Sequence, residues 1–222
     1  MGGWDFSYYF FKYANQFLPA ALMTVEVTVG GILIGIILGL FFSFLRISKH
    51  AVFNIPAKIY IWLIRGTPLL LQLWIIYLGF TDILLLDGLT AACLALGIHN
   101  GAYIAEILRG AIQSVDIGQR EAGISLGMTK WKVMRRIILP QAFKRAVPSL
   151  NNQFIIALKD SSLASTIAVP ELLLKAKQIG SSTYRYLELL SVAAVYYLVM
   201  TSILTVIANA IEKRLNVSTR RA

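Results

Sequence analysis

Long apolar stretches separated by polar connections dominate the sequence. Five of them reach the ~20 residues that a helix needs to cross the hydrocarbon core of a bilayer. These stretches cover residues 20–45, 59–81, 88–108, 146–169 and 187–211. The fourth is the weakest, because it contains amide side chains at positions 151–153 and the adjacent Lys159 and Asp160. The pattern predicts an all-α polytopic membrane protein with five transmembrane helices.

An aromatic segment precedes the first apolar stretch. Eight of the residues 4–17 are aromatic, and Pro19 follows them. Aromatic side chains favour the membrane–water interface. We therefore expect residues 1–19 to form an interfacial helix that lies flat on the membrane and is separated from the first span by Pro19. A basic n-region and a small-residue cleavage site are missing, so a signal peptide is not expected.

Composition narrows the class of protein. The chain is 57% hydrophobic and 14% charged, whereas soluble domains are about 25% charged. So few charges exclude an ordinary soluble enzyme and a disordered chain. The single Cys93 excludes an intrachain disulfide and argues against a cysteine-based metal site.

The basic residues indicate an orientation. Three lie between the first two spans, eight between the third and fourth and four in the tail, so fifteen lie on one side and four on the other. The positive-inside rule places the N-terminus outside, the C-terminus inside and residues 212–222 in a basic cytoplasmic tail. This topology explains most of the net charge of +10. Membrane lipid is therefore the expected contact of these residues, and nucleic acid is not expected.

The predicted cytoplasmic connection, residues 109–145, is long and amphipathic. Gly127 is expected to end one short helix, and Thr129 to cap a second one. Pro140 then breaks or kinks the chain. An exposed helix held between two spans is suited to docking into a cleft of a partner protein. A helix that rests on lipid headgroups would show the same pattern.

A motif in this connection resembles a known family. Glu121-Ala122-Gly123, three residues, Gly127, nine residues and then 137–140 (Ile-Ile-Leu-Pro) are similar to the EAA motif of ABC importer permeases. The spacing matches at every fixed position, and Gly123 replaces the second alanine. Segments 60–73, 100–110 and 159–163 resemble the polar amino acid (histidine/arginine/glutamine-type) uptake permeases in the same order.

The resemblance implies a five-helix permease subunit in a bacterial plasma (inner) membrane, working by alternating access. It implies a second permease subunit, identical or homologous, two ATP-binding subunits that hold ATP and Mg, an extracytoplasmic solute-binding protein and an amino acid substrate. It also makes residues 109–145 a coupling loop that docks on the ATPases. The coupling residues that it implies are Gln119, Arg120, Glu121, Ala122, Gly123 and Gly127.

The chain itself lacks a nucleotide-binding signature. No G-x-x-x-x-G-K-[ST] phosphate loop is present, since Gly123 to Lys130 has the wrong spacing. We therefore expect no cofactor on this chain. His99 and Cys93 have no convincing partner set, so neither a catalytic nor a metal site is expected.

Insertion of an ionisable side chain at the centre of the bilayer costs ~2.5–3.5 kcal/mol, so each such residue is a candidate for a functional role. Neighbours on a helix point about 100° apart, so Lys159 and Asp160 are not expected to pair directly. We hypothesise that Asp160 binds the substrate ammonium group, and that Lys159, with Ser161 and Ser162, binds the carboxylate. The alternative is a salt bridge to other spans that only fixes packing.

Further candidates for substrate contact lie in the second and third spans. Thr67 lies between Gly66 and Pro68, where irregular backbone is tolerated if it lines a cavity. A kink used only for gating explains the same residues. Asn100 and Tyr103 can form hydrogen bonds with a substrate. Asparagine in membrane helices also commonly forms hydrogen bonds with another helix.

Glu26, in the first span, can recognise a cationic side chain. It gives a preference for arginine, lysine or histidine over glutamine, unless Lys12 or Lys175 pairs with it. A competing interpretation of the whole chain is an autonomous carrier driven by an ion gradient. Glu26, Asp160 and Glu106 would then carry the coupling ion.

Overall fold

Helices and short connections make up residues 5–215, which the computed structural model describes. The elements in chain order are α1 Phe6–Lys12, α2 Ala14–Ile47, α3 Ala51–Arg65, α4 Leu69–Leu78, α5 Gly88–Gln113, α6 Ile117–Ser125, α7 Lys130–Val133, a π-helical turn Met134–Ile138, α8 Leu139–Asp160, a 3-10 segment Ser161–Ile167, α9 Leu172–Thr183 and α10 Tyr186–Arg214. No strand occurs among these residues. The predicted all-α fold is confirmed. Trp4 and the end of the basic tail, 216–222, lie outside the described residues.

Three helices, α2, α5 and α10, are each long and apolar enough to span a membrane. Helices α3 and α4 together pass the same test, but their axes differ by 103°. The described residues thus give three spans, or four with the bent pair, where the sequence predicts five. The second predicted span is broken at Pro68, and the fourth leaves α-helical geometry after Asp160.

The start of the first span differs from the prediction. Helix α1 ends at Lys12, and α2 already begins at Ala14 and runs through Pro19. Pro19 lies in the second turn of α2, where it removes only one backbone hydrogen bond. Packing stabilises this arrangement, because Phe17 is fully buried and its ring stacks 5.5 Å from that of Tyr196.

Helices α2 and α5 form the centre of the bundle. The buried glycines of α2, at positions 31, 35 and 39, face α5. A Cβ on Gly31 would lie 2.7 Å from Leu96 Cβ, and one on Gly35 would lie 3.0 Å from Asn100 Cβ. Small residues at this spacing let the two helix backbones approach closely. The glycine face therefore serves packing within the chain.

A buried carboxylate ties the start of helix α9 to α10. Glu171 is fully buried and accepts hydrogen bonds from the backbone nitrogens of Leu173 (2.9 Å) and Leu174 (2.7 Å). The hydroxyl of Tyr197 on α10 donates a third bond, of 2.6 Å. Three donors compensate for the loss of hydration of the carboxylate. The connection before α10 is thereby fixed to the bundle.

Candidate functional site

The break between α3 and α4 creates a polar site within the bundle. Pro68 has no backbone N–H, so the carbonyl oxygen of Ile64, four residues earlier, lacks its helical partner. The Nε2 group of Gln72 approaches this oxygen at 2.8 Å and the carbonyl oxygen of Thr67 at 3.1 Å. It also lies 2.8 Å from the Thr67 hydroxyl, which itself donates to Leu63 O at 2.9 Å. Gln72 thus stabilises the bend.

The same amide connects the break to α5. Gln72 Oε1 lies 3.1 Å from His99 Nδ1, and because an amide oxygen only accepts, the imidazole donates. The His99 ring packs 5.0 Å from the ring of Tyr103. The guanidinium carbon of Arg65 lies 5.1 Å from the Tyr103 centroid. Thr67 and Tyr103, both predicted as substrate contacts, are therefore joined through Gln72 and His99, by hydrogen bonds up to the imidazole and by ring packing beyond it.

Glu106 is the acidic centre of an adjoining charged cluster. Arg109 binds its carboxylate through two hydrogen bonds, of 2.9 and 2.8 Å. Arg46 of α2 lies 3.8 Å away and Arg65 of α3 3.9 Å away. The position of Glu106 near the inner end of its span predicts a basic partner from the 109–145 connection, and Arg109, its first residue, is that partner. The cluster ties the ends of α2 and α3 to α5.

Asn100 is buried and forms an interhelical contact. Its side-chain nitrogen donates to Leu96 O at 2.8 Å, and its oxygen accepts from Gln153 Nε2 of α8 at 2.8 Å. Gln153 thus occupies one of the two acceptor positions of the Asn100 oxygen, and Asn100 is buried. The Asn100–Gln153 hydrogen bond also sets the position of α8 along the axis of α5.

Lys159 and Asp160 lie at the end of α8 and differ in surroundings. Lys159 is exposed in a groove against α10, beside Thr201, Ser202 and Thr205. Asp160 is half-buried and is the last residue of α8. Neither forms an ion pair with another helix within residues 5–215. They do not form a direct pair, as the helical spacing predicts.

The two serines that follow begin the 3-10 segment. Ser161 is fully buried and donates to Leu158 O at 2.7 Å, while Ser162 is half-buried. Asp160 is roughly 10 Å along α8 from Gln153, at 1.5 Å per residue. Tyr103 lies on the other side of the Asn100–Gln153 contact. The structure therefore separates the predicted substrate contacts into two levels.

Glu26 is exposed on α2. The alternative pairing with Lys12 or Lys175 does not form within the described part of the chain. The Lys12 ammonium instead donates to the hydroxyl of Tyr8 at 2.8 Å. Recognition of a cationic group by Glu26 stays a prediction.

The motif in the 109–145 connection folds as a compact pair of short helices. Asp116 caps α6 by accepting from Gly118 N at 2.7 Å, and Thr129 caps α7 by accepting from Lys132 N at 3.3 Å. Gly127 ends α6 with φ +76°, the left-handed conformation that favours glycine. The two predicted helix limits, Gly127 and Thr129, are confirmed.

Gly123 holds α6 against the next helix. It is buried, and a Cβ there would lie 2.8 Å from Val133 Cγ2 and 2.9 Å from Ile137 Cδ1. The other motif residues lie on the exposed side of α6 or at its end: Gln119, Arg120, Glu121, Ala122 and Gly127. Apolar side chains are exposed beside them: Ile117, Ile124, Leu126 and Trp131.

A π-helical turn lies where α7 passes into α8. The backbone N–H of Leu139 donates to Met134 O, five residues earlier. Pro140 follows and lacks a backbone donor. Turns of this kind inside helices are frequent at functional sites. Where the sequence predicts a break or kink at Pro140, the structure has this π-helical turn, and Pro140 is the second residue of α8.

Gln72, Arg46 and Gln153 were not predicted as site residues, although Gln72 lies in the segment 60–73 and Arg46 is one of the basic residues that indicate the orientation. Gln72 carries the only amide in the apolar helix α4, and that isolation was a usable signal. Arg46 and Gln153 act through contacts with distant parts of the chain, which no local pattern reveals.

A helical membrane bundle with a broken, polar-lined helix has the architecture of a transport protein. The family model described as binding-protein-dependent transport system inner membrane component matches residues 31–217. The chain therefore belongs to this family of ABC transporter permeases. It is a transport component of the inner membrane and not an enzyme.

Two relatives illustrate the similarity. The glutamine transport system permease protein GlnP of Escherichia coli (strain K12) is 40% identical over 204 residues, covering 90% of this chain and 93% of the relative. The arginine transport system permease protein ArtQ of Bacillus subtilis (strain 168) is 38% identical over 200 residues, covering 89% and 91%.

Solved structures show the same fold. A crystal structure of an amino acid ABC transporter with histidines superimposes with a TM-score of 0.91 at 40% identity, covering 96% of this chain and 100% of that chain. An inward-facing structure of the MetNI methionine ABC transporter gives a TM-score of 0.76 at 19% identity, covering 92% and 98%, and supports the fold alone.

Proposed function

We propose that this permease subunit forms the translocation path of an ATP-driven importer of polar amino acids and works by alternating access. The observation that carries the proposal is α6, an exposed helix braced by Gly123 on Val133 and Ile137. A cleft of an ATP-binding subunit would receive its outer face, which carries Glu121. Because α6 and α7 connect α5 to α8, closure of the ATPases would move both spans.

The proposed topology has five spans with the N-terminus outside. They are α2, the bent pair α3 and α4, α5, α8 with its 3-10 extension, and α10. The asymmetry of basic residues supports it. The proposed divisions are the interfacial segment 1–19, the permease domain 20–211, the coupling loop 109–145 within it and the tail 212–222.

The proposed partners supply what this chain lacks for ATP-driven import. One chain encloses little space, so a second permease, identical or homologous, would complete the path. Two ATP-binding subunits would bind ATP and Mg, since this sequence has no phosphate loop. An extracytoplasmic solute-binding protein would deliver the amino acid.

The proposed substrate contacts lie at two levels of the path. The outer level holds Lys159, Asp160, Ser161 and Ser162, with Asp160 for the ammonium group and Lys159 for the carboxylate. The inner level holds Thr67 and Tyr103, with Asn100 between the two levels. Glu26 would favour basic side chains over glutamine.

Reconstitution into proteoliposomes tests the proposal. The chain with its ATP-binding subunits and solute-binding protein should take up labelled glutamine, arginine or histidine only with ATP on the ATPase side. Uptake by this chain alone, driven by a proton or sodium gradient, would contradict it.

A further inference from the structure

Arg65 is the least neutralised member of the cluster at Glu106. Arg109 makes both short contacts to the carboxylate, whereas Arg65 Nη1 lies 3.9 Å away. The Arg65 side chain is 44% exposed, against 25% for Arg46 and 23% for Arg109. Three guanidinium groups share one carboxylate, so the cluster carries an excess of positive charge.

The position of Arg65 favours an anion from outside the bundle. It is the last residue of α3, directly before the break that Thr67 and Gln72 line. Arg65 falls within the second predicted span, residues 59–81, where an exposed cation is costly against lipid but is tolerated if it faces a water-filled path. The Tyr103 ring, 5.1 Å away, holds the guanidinium by a cation–π contact.

We propose that Arg65 binds the α-carboxylate of the amino acid at the inner level of the path, beside Thr67. This inference rests on the function proposed above, because it takes the substrate to be an amino acid. A guanidinium fork matches a carboxylate through two parallel hydrogen bonds. Since every α-amino acid carries this carboxylate, Arg65 recognises the class of substrate and leaves side-chain selectivity to other residues.

The test measures binding to the complex of permease and ATP-binding subunits, without the solute-binding protein. The probes are L-glutamine, L-arginine and L-histidine, each compared with its α-carboxamide, which lacks the carboxylate. We expect the wild-type complex to bind an amino acid about 10-fold more tightly than its carboxamide. With the outer carboxylate contact removed by Lys159→Ala, the further change Arg65→Ala should bring this ratio close to one by weakening binding of the amino acid.

Three further variants separate the effect of the guanidinium fork from that of positive charge alone. Arg65→Lys keeps the charge but loses the fork, so its ratio should be intermediate, near threefold. Lys58→Ala, an exposed basic residue on the same helix, should keep the wild-type ratio. Arg46→Ala removes an equal charge beside the same carboxylate, and its ratio should stay within about twofold of wild type.

Each contrary result has a distinct meaning. An unchanged ratio in Arg65→Ala, an equal loss in Arg46→Ala or a wild-type complex that does not discriminate against the carboxamide would overturn the role of Arg65. If Arg65→Ala does not assemble, an unchanged ratio in Arg65→Lys does the same. Failure of every amino acid to bind the wild-type complex would contradict the proposed function itself.

Discussion

The side-chain amide of Gln141 on α8 donates a hydrogen bond of 3.3 Å to the side-chain oxygen of Gln119 on α6. The same nitrogen lies 3.1 Å from the carbonyl oxygen of Ile137, in the π-helical turn. One amide therefore joins the short exposed helix to the turn from which α8 begins. Together with the Gly123 packing, it gives α6 a direct mechanical connection to α8.

Gln141→Ala should weaken coupling between ATP hydrolysis and transport. A neutral hydrogen bond contributes about 0.5–1.5 kcal/mol, so we expect the ratio of amino acid transported to ATP hydrolysed to fall about two- to tenfold. The ratio is measured in proteoliposomes. Gln178→Ala, an exposed glutamine on α9, is the matched control. Equal ratios in both variants would show that the hydrogen bonds of Gln141 do not contribute to the coupling of ATP hydrolysis to transport.

Gly123→Val should separate α6 from α7. The added side chain would overlap Val133 and Ile137, and overpacking of this kind costs about 1–3 kcal/mol. We expect ATP hydrolysis to continue while transport is lost. Gly110→Ala is the control, because a Cβ there meets no atom within 4 Å. If Gly123→Val transports normally, the packing of α6 is not needed for coupling.

Much of the helical framework is predictable from the sequence, because apolar stretches and helix caps are local signals. The limits of the coupling segment at Gly127 and Thr129 are of this kind. The course of α2 through Pro19 was not predictable in the same way. It depends on stacking of Phe17 against Tyr196, which lies on the last helix of the chain.

The site was predictable only in part, for the same reason. Gly66 and Pro68 indicate a break, but the 103° turn depends on Gln72 holding the free carbonyl groups. Asn100 could bind either a substrate or another helix, and only the tertiary structure shows its bond to Gln153.

Glu106→Gln should destabilise the bundle. The substitution leaves Arg46, Arg65 and Arg109 without their shared counter-charge, and hydrogen bonds to charged groups contribute about 1.5–3 kcal/mol. A lower thermal unfolding temperature in detergent is expected. Glu26→Gln removes an exposed carboxylate and should leave that temperature unchanged. The same temperature for both variants would contradict the structural role of Glu106.

Glu26→Gln should change substrate preference instead. If Glu26 attracts cationic side chains, its loss reduces uptake of arginine relative to glutamine by about two- to fivefold, as expected for one partly screened charge pair. Competitive uptake of the two labelled amino acids measures the ratio. An unchanged ratio of arginine uptake to glutamine uptake would show that Glu26 does not contribute to substrate recognition.

Asp160→Asn should weaken binding of the substrate ammonium group. The substitution keeps the size of the side chain and removes its charge, so we expect at least about a 10-fold rise in the half-saturating amino acid concentration. Thr166→Ser, an exposed residue six positions further along, is the control. Unchanged transport by Asp160→Asn would show that Asp160 does not bind the substrate ammonium group.

The decisive experiment is purification of the tagged chain from native membranes, followed by mass spectrometry and an ATPase assay with glutamine, arginine and histidine. An ATP-binding subunit with a phosphate loop should co-purify, and one amino acid with its binding protein should stimulate ATP hydrolysis. Gly127→Arg, which places a large side chain at the left-handed end of α6, should abolish this stimulation. Recovery of the chain alone, under conditions that preserve other membrane complexes, would show that it does not work as the permease of an ATP-driven importer.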